Sequence, residues 1–146
     1  MRSGGPKHGK DAEVPGTRYH IKTHLISGGV YEEVPLKNVQ STANLLARVL
    51  IAKIENEGRL AEILRKVPAV QGDPNWRCRT WLANALAAVE ADGKAVGTAE
   101  LDWTKIERVA RDHVPKKRSR GRYMAEEDLK QPKPTWDMIE GKEIIP

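Results

Sequence analysis

Cys78 is the only cysteine in the 146-residue chain. It lies in the run Asp73-Pro74-Asn75-Trp76-Arg77-Cys78-Arg79. Asp73 is a good helix N-cap and Pro74 suits the first helical position, so the spacing predicts that Cys78 sits one turn into a helix. There it would lie beside unpaired backbone N–H groups and the positive end of the helix dipole, a position that favours thiolate over thiol. Arg77 and Arg79 add two cations of the same tendency. A thiolate so placed is the nucleophile of covalent acyl chemistry, with the helix-terminal amides stabilising the oxyanion. The plainer reading is a cysteine packed as a small hydrophobe.

A thiol nucleophile needs a base, commonly a histidine distant in sequence. His8 falls in a polar leader, and His113 falls near the end of a helix, where a histidine suits the dipole. His20 and His24 remain. On a strand they share a face but stand roughly 13 Å apart, too far for one sulfur or one metal ion. No metal site and no cofactor are expected.

These residues must be positioned by a small set of elements. Tyr19, Ile21, Thr23 and Leu25 alternate with His20, Lys22 and His24 across Arg18 to Ile26, which reads as a strand. Gly28-Gly29 breaks the run, and Val30 to Leu36 reads as a second strand after a tight turn, with Pro35 marking an edge or an end. Leu45 to Ile54 fits either a helical stripe or a buried strand, and the strand is preferred. Asn56 caps a helix carrying Leu60, Ile63, Leu64 and Val67, stopped by Pro68. The helix from Asp73 to Ala91, ended by Asp92-Gly93, is expected to be central, with Trp76, Trp81, Leu82, Ala85, Leu86 and Val89 as its apolar surface. Another helix from Asp102, with Ile106, Val109 and Ala110 inward, should end near Val114-Pro115. Trp136 and Ile139 suggest that Thr135 to Gly141 docks as a last helical turn. The expected organisation is a leader over 1–16, one core over 17–115, a charged linker over 116–133 and a tail over 134–146.

Composition narrows the function classes. The formal net charge of +5 is located in one place, because Lys116, Lys117, Arg118, Arg120 and Arg122 are five of the 25 basic residues and leave 20 against 20 acidic ones. Such a segment contacts phosphates, serves as a nuclear address, or is a solvated linker. The leader has no apolar run, so neither a secretory signal nor a membrane span is expected. One cysteine builds no internal disulfide, which fits a reducing compartment, cytoplasmic by default with the nucleus open. The absence of Phe argues against a base-stacking single-strand binder. Gly93-Lys94-Ala95-Val96-Gly97-Thr98 has the wrong spacing for a Walker phosphate loop and reads as a turn.

Several segments carry a family likeness: Arg18-Tyr19-His20, Tyr31-Glu32-Glu33, Asp73 through Cys78, Trp81, Asp92-Gly93-Lys94-Ala95, Asp102-Trp103 and Pro134-Thr135-Trp136-Asp137. Through them the chain from about Gly16 to Pro146 resembles an uncharacterised family of small fungal proteins. That family in turn looks like the circularly permuted papain-like group that includes lecithin–retinol acyltransferase. The resemblance implies an α+β fold, with a small antiparallel sheet packed on two to four helices. It also implies Cys78 as nucleophile, His20 as the residue orienting a base, and Asn75, Trp76 and Trp81 as support. Two residues separate Asn75 from Cys78, whereas the group has Asn next to Cys. The group's first strand bears a His-Trp pair, and here no Trp precedes Trp76. The resemblance therefore implies a truncated start, an inactive member, or His20 acting as the base.

Two functions follow as expectations. One is a cysteine-dependent acyltransferase or hydrolase acting on a small acyl or peptidyl substrate. The other is a non-enzymatic module that contacts nucleic acid or an acidic partner through Lys116 to Arg122.

Overall fold

The structure, a computed structural model, describes residues 13–24, 26, 28–40 and 45–146. Most of the expected leader, including His8, and the Leu25 position of the first strand lie outside the described residues.

The first two strands are β1 (Gly16–His24) and β2 (Gly28–Leu36), an antiparallel hairpin with Ile21 opposite Tyr31 and His20 opposite Glu32. Alternation puts Tyr19, Ile21, Tyr31 and Glu33 on one face, and His20, Lys22 and Glu32 on the other. The first face meets the core, where Ile21 is buried with Tyr19 and Tyr31 packed beside it. Gly28 and Gly29 do not form the turn that was expected of them; they open β2. A Cβ on Gly29 would run into the side chains of Ile21 and Trp76, so this close approach requires a glycine.

Leu45 to Ile54 is extended, as expected, and forms two short strands, β3 (Arg48–Leu50) and β4 (Ala52–Ile54). Helix α1 (Glu57–Lys66) follows, with the Asn56 side chain accepting from the Arg59 N–H at its N-cap. Helix α2 (Cys78–Asp92) buries Trp81, Ala85, Leu86 and Val89. Burying each of its larger apolar side chains is worth about 1.5–3 kcal/mol. Together with Leu60, Leu64 and Val67 they form the core, which makes α2 the central helix. Gly93, at φ 67°, closes α2 in the left-handed conformation that an L side chain adopts only under strain.

The start of α2 differs from expectation by a full turn. Asp73 does not cap it: its carboxylate accepts from the Asn75 N–H, closing a local turn that holds Pro74 and Asn75 outside the helix. Arg77 is extended, at φ −137° and ψ 165°, and Cys78 is the first helical residue. The non-helical stretch lets the Trp76 ring reach the hairpin before the helix begins.

Beyond β5 (Val96–Ala99), helix α3 (Trp103–Ser119) is capped by Asp102, whose side chain accepts from the Thr104 and Lys105 N–H groups. It was expected to stop at Pro115 and instead runs through it. An interior proline removes one backbone hydrogen bond and costs about 3 kcal/mol. Contacts on both sides of it offset that cost, because His113 and Lys117 are both buried against the C-terminal strands. The segment read as a linker thus begins inside a helix. It continues into a short helix, α4 (Glu126–Lys130), and Arg122 donates to the carbonyls of Asp128 and Pro132.

The tail docks, as strands rather than a helical turn: β6 (Thr135–Asp137) and β7 (Lys142–Ile145). Asp137 accepts from the Ile139 and Glu140 N–H groups, and this side-chain turn reverses the chain into β7. The protein is therefore α+β, with the strands of the described residues divided among three small sheets. β1 pairs antiparallel with β2 and β4 antiparallel with β5, while β6 lies between β3, which it pairs in parallel, and β7, which it pairs antiparallel. Among the described residues no helix is long and apolar enough to cross a membrane.

Candidate functional site

Cys78 is exposed at the first position of α2. The helix start beside it has no side-chain cap; the Thr80 hydroxyl accepts from the Arg77 N–H. Arg77 does not turn to the thiol: its guanidinium donates to the carbonyls of Pro74 (2.6 Å) and Trp76 (3.0 Å), bracing the preceding turn. The other expected supports are structural in position. Asn75 belongs to the Asp73 turn, and Trp81 is buried with its indole N–H donating to the Val67 carbonyl at 3.3 Å. Trp76 packs against the core, and its indole N–H is buried without a partner among the described residues.

His20 is not brought to Cys78. Because Ile21 faces the core that α2 builds, the neighbouring His20 is turned to the far face of the hairpin, where its Nε2 lies 3.1 Å from Glu32 Oε2. The histidine–carboxylate pair is real, but it belongs to a cross-strand contact on the outer face. The carboxylate that meets His20 is Glu32, and no hydrogen bond joins His20 to Cys78 among the described residues. Among the described residues no group of three or more His, Cys, Asp and Glu side chains is placed to hold a metal ion.

The five basic residues of the 116–122 segment separate into two sets. Lys116, Arg118 and Arg120 are exposed, and none has an ion pair among the described residues. Lys117 and Arg122 are structural: Lys117 is buried and ion-paired with Glu143 of β7, and Arg122 is held by the carbonyls named above. Basic residues in a last turn complement the helix dipole in any protein. Here Lys116, Lys117 and Arg120 also border a cleft of about 270 Å³ between α3 and the C-terminal strands.

That cleft is where the structure gathers chemistry that the sequence left scattered. Val109, His113, Lys116, Lys117 and Arg120 recur at helical spacing along one stripe of α3, and Trp136 of β6 and Glu143 of β7 stand opposite. His113 is 8% exposed, with its ring 6.2 Å from that of Trp136 in an edge-on contact. Its Nε2 is buried and makes no hydrogen bond among the described residues; Glu143 Oε1 is 3.7 Å away, in ion-pair range but beyond a hydrogen bond. Burial pushes the His113 imidazolium below its ordinary range, Glu143 pulls it back, and Lys117 and Lys116 push it down again. The imidazole is therefore held neutral. From the sequence, His113 reads as lying near a helix end. The signal that places it mid-helix is the stripe continuing past Pro115, which only a helix that tolerates the proline makes visible.

Fold and site together define an α+β protein built around one central helix, with an exposed thiol at the start of that helix and a basic cleft beside α3. The chain belongs to a family of unknown function, DUF6914, whose model matches residues 4–145. No curated protein and no solved structure matches it.

Proposed function

We propose that the protein is a binding module whose ligand carries phosphate, and that the C-terminal face of α3 is its contact surface. The observation that carries this reading is the clustering of Lys116, Arg118 and Arg120, exposed and without ion pairs among the described residues, at the C-terminal end of α3, where Lys116 and Arg120 line a cleft. Arg59, Arg65 and Arg111, by contrast, are matched by Asp92, Glu33 and Glu107. Uncompensated cations bind phosphate largely by releasing counterions, so affinity falls steeply with salt. The test is binding of inorganic polyphosphate across a salt series. Replacing Lys116, Arg118 and Arg120 by alanine is expected to weaken binding and reduce the magnitude of the log–log salt slope by about two to three. Undiminished binding by the triple variant would remove the basis of the reading.

A second reading keeps the thiol. An exposed cysteine at the first position of α2, facing an N-terminus without a side-chain cap, favours reaction with electrophiles, the first half of papain-like acyl chemistry. The second half needs a base beside it, and His20 is paired with Glu32 on the outer face of the hairpin. The reading predicts that the protein reacts with an iodoacetamide dye at neutral pH faster than a free model thiol does, and that Cys78→Ala abolishes labelling. A rate equal to that of the model thiol sinks it.

A further inference from the structure

Glu143 marks a place where an oxyanion already sits. Its carboxylate pairs with the buried Lys117 ammonium and lies 3.7 Å from the Nε2 of His113, which has no hydrogen-bond partner among the described residues, while its own side chain is 31% exposed and so borders solvent. An anion arriving from solvent at that position would meet Lys117 and His113 below it, with Lys116 and Arg120 at the rim. We infer that the cleft between α3 and β7 is a binding site for a phosphate monoester, whose phosphoryl group displaces the Glu143 carboxylate from between Lys117 and His113. This deepens the phosphate-binding reading above and rests on it.

Three features select a monoester. The cleft, at about 270 Å³, is smaller than the roughly 300–1,000 Å³ of sites that engulf a whole small molecule, so it suits a headgroup with its body outside. Trp136 and Val109 give it an apolar wall on which a ring or chain can lie. The third feature is His113 itself. A buried imidazole nitrogen with no partner needs either a donor or an acceptor. A monoester, whose second ionisation falls near pH 6, supplies both: its dianion accepts from an Nε2–H, and its monoanion donates to a bare Nε2. A diester or a carboxylate can only accept. The charged and aromatic groups that line the cleft with His113 are Asp112, Lys116 and Lys117 of α3, Arg120 at its C-cap, Trp136 of β6 and Glu143 of β7. With Glu143 displaced and a dianion in its place, the neutral imidazole gains reason to take up a proton.

The experiment is calorimetric titration of the whole chain with phenyl phosphate at about pH 7, where the monoester is largely dianionic. Buffers of different ionisation enthalpy count the protons exchanged. Methyl phenyl phosphate and benzoate are the comparison ligands. Phenyl phosphate is expected to bind about tenfold or more tightly than either, with net proton uptake. His113→Phe should lose both the uptake and about tenfold in affinity, while Glu143→Gln, which removes the competing carboxylate, should bind several-fold more tightly. Thermal melts confirm that both variants fold. Equal affinity for the diester or benzoate, or uptake unchanged in His113→Phe, would overturn the inference, and weaker binding by Glu143→Gln would overturn the displacement. If polyphosphate binds and phenyl phosphate does not, the monoester site falls and the broader reading stands. If neither binds, both fall.

Discussion

His113 is costly to the fold as it stands. A buried polar atom without a partner carries a desolvation penalty of about 1–3 kcal/mol, whereas an apolar group of similar shape carries none. His113→Phe is therefore expected to raise stability by about 1 kcal/mol in denaturant unfolding near neutral pH. The same residue sets a pH dependence. Its folded-state affinity for a proton is lowered, chiefly by burial, from an ordinary value of 6.5. The stability linked to its neutral form is fully present above about pH 6.5 and is lost as the pH falls below it, because the unfolded chain takes up the proton first. The wild type should lose stability between about pH 6.5 and the lowered folded-state value, and His113→Phe should lack that part of the slope. Parallel pH profiles would show that the imidazole finds a partner in solution. Cys78 carries no such stored cost: it is exposed, and its position is set by the backbone around it.

The elements that fix these residues are tied at their ends more than along their faces. Asp92, the last residue of α2, accepts from Arg59 Nε of α1 at 2.7 Å and from the Lys94 and Ala95 N–H groups, so one carboxylate joins two helices to the turn that leads into β5. Its hydrogen bond from Arg59, with those from the Lys94 and Ala95 amides, pulls its pKa down from 3.8 to about 2. The stabilisation is present above about pH 3.8 and is lost as the pH falls through about 2. Asp92→Asn is expected to lower the melting temperature at neutral pH, and the gap from wild type should close as the pH approaches 2. A gap of constant size would mean that the charge at Asp92 contributes nothing. On the hairpin, Glu33 plays a similar part, accepting from Arg65 of α1 at 2.6 and 3.0 Å and from the Tyr31 hydroxyl at 2.9 Å. These ties orient the Ile21 face inward and thereby send His20 outward.

Across the whole molecule, what local chemistry alone dictates was legible in the residues. Asn56 as a cap, Gly93 as a left-handed stop, the alternation of β1 and the burial of Trp81, Ala85 and Val89 on a central helix all follow from side-chain type and period, because each depends on neighbours within a turn or two. The α+β class followed from the same signals. The tertiary structure decided the rest. Asp73 closed a turn in place of capping a helix because Trp76 has a hairpin to pack on, and α3 ran through Pro115 because His113 and Lys117 find β6 and β7 beyond it. Likewise the sequence by itself named a thiol, a histidine and a basic run, but which of them share a face depends on the packing of strands and helices far apart in the chain. That packing turned His20 to the outer face of the hairpin, onto Glu32. It also brought Glu143, more than twenty residues beyond α3, back to Lys117, so that the cleft exists only in the folded chain.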